Sequence, residues 1–165
     1  FNPPGELSTL LTGLRISNGL TWSPDHKTFY FIDTPTLTVM GYDYDLQHGS
    51  LANPRPVIHV PESSGYPDGM TSDSEGMLWI ALWGGACVTR WDPRTGQMLA
   101  SHPVPALQTS SCIFGGANLV DLYITSAREG MTQAELERYP LSGGLFRLET
   151  RVQGVPTFEF GGGME

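Results

Sequence analysis

Pro67-Asp68-Gly69-Met70-Thr71-Ser72-Asp73, then Leu78-Trp79-Ile80-Ala81-Leu82, then Cys87-Val88-Thr89-Arg90-Trp91-Asp92, reads as strand, turn, strand, turn, strand. The middle run has no polar alternation, as expected of a short strand covered on both faces. Asp92-Pro93-Arg94-Thr95-Gly96 is a hairpin turn, opened by Asp and given its positive φ by Gly. A further strand follows at about 98–103.

The same order occurs on either side. Upstream, Ser17-Asn18-Gly19-Leu20-Thr21-Trp22-Ser23-Pro24-Asp25 precedes Phe29-Tyr30-Phe31-Ile32-Asp33 and Val39-Met40-Gly41-Tyr42-Asp43-Tyr44-Asp45. Its hairpin is Asp45-Leu46-Gln47-His48-Gly49, with a strand expected at about 56–60. Downstream, Ser110-Ser111-Cys112-Ile113-Phe114-Gly115-Gly116 precedes Leu122-Tyr123-Ile124-Thr125 and Gly144-Leu145-Phe146-Arg147-Leu148. Asn18, Asp68 and Ser111 open the three units, at spacings of 50 and 43 residues. A period of about 40–50 residues with several strands per unit is the pattern of propeller blades. The expectation is an all-β chain, a β-propeller with about three blades present. A closed ring takes about four blades or more, so the N-terminal blades needed to complete it are expected to lie outside residues 1–165. The one helical patch, Thr132-Gln133-Ala134-Glu135 with Leu136-Glu137-Arg138, starts with a capping box and stops before Pro140.

Composition agrees. Of 165 residues, 20 are Gly and 13 Pro, a share that suits short strands and many turns. The net charge of −8 argues against a nucleic-acid backbone or an anionic membrane as partner, since nothing offsets phosphate repulsion. No apolar run approaches the length of a membrane helix. Cys87 and Cys112 form no CxxC pair, and read as free buried thiols in a reducing, cytoplasmic compartment.

Propellers gather functional groups where successive blades meet the central channel, so the opening residue of each unit is the place to look. Asn18 and Asp68 carry oxygen ligands of the kind hard cations take. Asn-Gly and Asp-Gly are also common turn dipeptides, and their equivalent placement in the repeat is what favours a site over a turn. Ser111 lacks a His at an equivalent position and is a poor candidate nucleophile. His26, His48, His59 and His102 read as turn or outer-strand groups, Trp22, Trp79 and Trp91 as core, and Trp83 as a residue of the pocket mouth. Asp33, Asp73 and Asp121 read as turn or inter-strand hydrogen-bonding groups.

The 17–25 segment, the Pro67–Asp73 segment continued by Ser74-Glu75-Gly76-Met77 and the following strand, and Thr109-Ser110-Ser111-Cys112-Ile113-Phe114-Gly115-Gly116 together resemble the SMP-30/gluconolactonase/regucalcin family over nearly the whole chain. The resemblance implies a six-bladed propeller with one divalent cation, calcium or zinc first and magnesium or manganese next, in its channel. It implies Asn18 and Asp68 as metal ligands, with a third ligand, a Glu, and the Arg and Asn that hold substrate hydroxyls in blades absent from this C-terminal portion. The implied reaction is hydrolysis of a sugar lactone by Lewis-acid activation of the carbonyl, with Asp68 as a catalytic residue that is ligand first and base second. On this reading the portion alone is inactive. The alternatives are a non-catalytic calcium-binding or scaffold propeller, and a hydrolase of organophosphates or other esters.

Overall fold

The structure, a computed structural model, describes residues 7–157. The expected domain over 1–165 includes 1–6 and 158–165, which lie outside the described residues.

The first unit is an antiparallel meander of β1 (Ser17–Trp22), β2 (Thr28–Asp33), β3 (Thr38–Asp45) and β4 (Ser50–His59), hydrogen-bonded in that order. The second repeats it with β5 (Tyr66–Ser72), β6 (Leu78–Trp83), β7 (Cys87–Asp92) and β8 (Gln97–Pro103). The third comprises β9 (Gln108–Gly115), β10 (Asp121–Ala127) and β11 (Leu145–Glu149), joined to the second by the pair Trp83 and Gln108. Both expected hairpins form, with Gly49 N–H donating to Asp45 O at 2.7 Å and Gly96 N–H to Asp92 O at 2.8 Å. β4 starts earlier than its Pro-containing sequence suggests, because irregular pairing with β3 and a positive φ at Asn53 accommodate the extra residues. α1 (Gln133–Arg138) carries the expected capping box on Thr132 and Glu135 and lies wholly on the surface.

Why the units stack follows from β6. Leu78, Ile80 and Leu82 point to one core with Tyr30, Ile32, Val39, Ile58 and Val60 of the first unit. Trp79 and Ala81 point to a second core with Cys112, Phe114, Leu122 and Ile124 of the third. Every one of these five β6 side chains is buried, and each large one contributes about 1.5–3 kcal/mol of hydrophobic stabilisation. The outer face of the first unit, Phe29, Phe31 and Tyr42, is covered by Leu11 and Leu14. Cys87 and Cys112 are free, the first half-buried and the second buried. Burial pushes the Cys112 thiol up to about 12, as expected of an inert packing thiol. Trp79 and Trp91 are core as expected, while Trp22 is only half-buried. Among the described residues no helix is long and apolar enough to cross a membrane.

Candidate functional site

The first strands of the units, β1, β5 and β9, pack side by side. Each pairs imperfectly with the second strand of its own unit; in the first two units the irregularity falls at the opening residue, and in the third one residue before it, at Ser110. Between Ser17 and Leu20, β1 has one residue more than β2; between Pro67 and Met70, β5 has one more than β6; between Thr109 and Ser111, β9 has one more than β10. Such bulges re-aim side chains out of the pleat. The first holds Asn18-Gly19 and the second Asp68-Gly69.

The glycines after Asn18 and Asp68 allow the strands to approach. A Cβ on Gly19 would stand 2.5 Å from the Asp68 carbonyl oxygen and 2.8 Å from Met70. One on Gly69 would meet Ser111 backbone and side chain at 2.5–2.6 Å or closer. Real side chains never come so near, so glycine is required at both positions. The structure thereby brings Asn18, Asp68 and Ser111 into one row across three units.

Asn18 and Asp68 are half-buried, and Ser111 is exposed. Burial raises the Asp68 carboxyl above the usual carboxylate range, and the Asn18 carboxamide and the Gly69 N–H act against that rise. No salt bridge involves Asp68 among the described residues. A half-buried carboxylate held beside a carboxamide, with no cationic side chain to neutralise it, is a donor pair suited to a hard cation. Among the described residues no group of three His, Cys, Asp or Glu gathers to hold a metal. Asn18 and Asp68 are the two oxygen-bearing side chains that the row brings together.

Thr34 is a site neighbour that sequence reading passed over. It begins the turn between β2 and β3, accepts from Asn18 Nδ2 at 3.0 Å and donates to Pro67 O at 2.9 Å. Its position directly after Asp33 in a repeat whose first strand carries Asn18 was the available signal. Trp83 pairs with Tyr66, so both lie at the Asp68 end of β5. The acidic residues set aside as structural behave so. Asp33 accepts from Ile16 N at 2.9 Å, and Asp73, fully buried, accepts from Trp79 Nε1 at 2.9 Å and Arg90 Nε at 2.8 Å. His48 is exposed on the first hairpin, while His102 stacks on Trp79 with ring centroids 5.2 Å apart.

An all-β array of repeated meanders with acidic and amide groups aligned on its inner strands is the architecture of a propeller-type protein. The chain belongs to the SMP-30/gluconolactonase/LRE-like family, whose model matches residues 1–128. It is 44% identical over 148 residues to regucalcin of Gallus gallus, covering 89% of this chain and 50% of that protein. It is 42% identical over 162 residues to YvrE of Bacillus subtilis (strain 168), a protein named provisionally as a sugar lactone lactonase, covering 98% of this chain and 56% of that one. The crystal structure of a calcium-binding protein, regucalcin, from Agrobacterium tumefaciens superposes with a TM-score of 0.85 at 32% identity, over 91% of this chain and 51% of that one. The chain thus spans about half the length of the relatives it matches.

Proposed function

We propose that this chain is the C-terminal portion of a six-bladed propeller, of which it supplies about three blades. On this reading the propeller hydrolyses a sugar lactone at a divalent-cation site to which Asn18 and Asp68 contribute. The observation that carries the reading is the pairing of those two side chains, half-buried and aimed by equivalent bulges on adjacent inner strands. Family membership and the lactonase name of a 42% identical relative support the reaction class.

The donor chemistry fits a hard dication, calcium first, with magnesium and manganese next; zinc also takes carboxylate oxygen but more often with nitrogen or sulfur beside it. When bound, such a cation supplies Lewis acidity toward the lactone carbonyl. Asn18 has no acid–base chemistry, and its role is to present an amide oxygen. Asp68 provides the negative charge of the site and is ligand first. Its second role is to take a proton from the attacking water, a role weakened wherever a cation shares the carboxylate. A Glu ligand and the Arg and Asn that hold substrate hydroxyls come from the other blades, so this portion alone is inactive. Two unpaired thiols agree with a reducing, cytoplasmic setting.

A second reading, calcium binding without catalysis, is favoured by the two relatives named regucalcin, one of them described as a calcium-binding protein. Proton release from glucono-δ-lactone, with and without EDTA, on the intact protein separates the two. The lactonase reading expects turnover that EDTA removes, calcium restores and Asp68→Ala abolishes. No turnover of any sugar lactone by a folded, calcium-loaded protein overturns it in favour of binding alone. Turnover of other esters only moves the substrate class and keeps the site.

A further inference from the structure

We infer that Thr34 is a positioning residue that fixes which end of the Asn18 carboxamide faces the site. The argument is one of proton counting. A threonine hydroxyl has a single proton and can donate once. Thr34 Oγ1 lies 2.9 Å from the Pro67 carbonyl oxygen, which only accepts, so the proton goes there. Toward Asn18, 3.0 Å away, the hydroxyl can then only accept. The group that Asn18 presents to Thr34 must be its NH2, and its oxygen is turned away from Thr34. The two ends of an Asn amide are nearly isosteric, and the relay, together with the hydrogen bond that Asn18 gives the Asp68 carboxylate, selects between them.

The same hydroxyl links two units. Thr34 belongs to the turn after β2, whose N–H donates to Ile16 O at 3.2 Å just before β1. Pro67 immediately precedes Asp68 on β5. Thr34 therefore sets the orientation of Asn18 and holds the backbone beside Asp68. Outer partners of this kind fix ligand orientation at metal sites generally.

The inference rests on the cation reading only for its consequence, and its test keeps the two apart. In the intact protein, the side-chain amide protons of Asn18 are followed by 15N NMR in the unaltered form, in Thr34→Val and in Thr34→Ser. Calcium affinity is measured on the same samples by calorimetry. The expected result is about tenfold faster exchange of the Asn18 amide protons in Thr34→Val, restored by Thr34→Ser, and about tenfold weaker calcium binding in the valine form only. A cation-free melting temperature close to that of the unaltered protein separates this from general unfolding. Equal exchange rates in all three forms would overturn the inference. Absence of calcium binding in the unaltered protein would remove the cation reading, while the exchange rates would still decide the role of Thr34.

Discussion

Gly69 lies so close to Ser111 that the α-carbon of the serine stands 2.6 Å from where a Gly69 side chain would begin. The contact takes in the serine's backbone as well as its side chain, and the backbone cannot swing aside. It sets the spacing between β5 and β9 at the level of Asp68, and hence the position of the Asp68 carboxylate.

Gly69→Ala is accordingly expected to push the second and third units apart. The loss of stability is about 1–3 kcal/mol or more, the range of overpacked sites. Urea unfolding checks this. A midpoint equal to that of the unaltered protein would mean that the strands are not held as closely as described.

Asp68→Asn is expected to stabilise the cation-free protein at neutral pH. The folded-state pKa of Asp68 is raised, so the ionised form is less well accommodated in the fold than in the unfolded chain. Its effect on stability is therefore most favourable below the ordinary carboxylate range and is lost as pH rises through the raised value. A neutral amide escapes that loss. Solvent reaches the other side of the group and discounts the effect to a few tenths of a kcal/mol, or about 1–2 °C in melting temperature. The gain should vanish at pH 3, where Asp68 is itself neutral. Melting curves at pH 7 and pH 3 test both halves of the statement.

Asp73→Ala is expected to destabilise far more, by about 3–5 kcal/mol. Asp73 is fully buried and also accepts from the backbone N–H groups of Glu75 and Met77, both at 3.0 Å. Its removal leaves the Trp79 indole without its acceptor in the core and takes from Arg90 one of its two carboxylates, Glu75 being the other. Chemical denaturation with near-ultraviolet circular dichroism of Trp79 follows the change; a loss below 1 kcal/mol would show that water replaces the carboxylate.

The repeat was legible because its signal is chemical and local. Bulky strands with Asp and Gly at the hairpins recur at nearly constant spacing, and 28–33, 78–83 and 121–127 all form strands where the sequence puts them. The alignment of Asn18 with Asp68 was legible for the same reason. What the sequence did not reveal was how the row is built. Bulges are extra residues in one strand relative to its partner, a relation that no single segment displays. The close approach at Gly19 and Gly69 involves another unit altogether. Thr34 is invisible as a site residue because its importance lies in where one proton goes, and that depends on the Pro67 carbonyl 33 positions away. The early start of β4 was likewise hidden, since its prolines disfavour a strand until an edge position makes the missing N–H harmless.

β6 contributes side chains to both internal cores and hydrogen-bonds to neighbours on either edge. Each end unit can loosen while losing one interface, but β6 cannot be exposed until both interfaces are gone. In arrays where each unit touches only its neighbours, such a segment opens last. The backbone amides of Trp79, Ile80 and Ala81 are thus the chain's longest memory of the folded state, the ones that would keep their protium after the flanking strands had turned to deuterium.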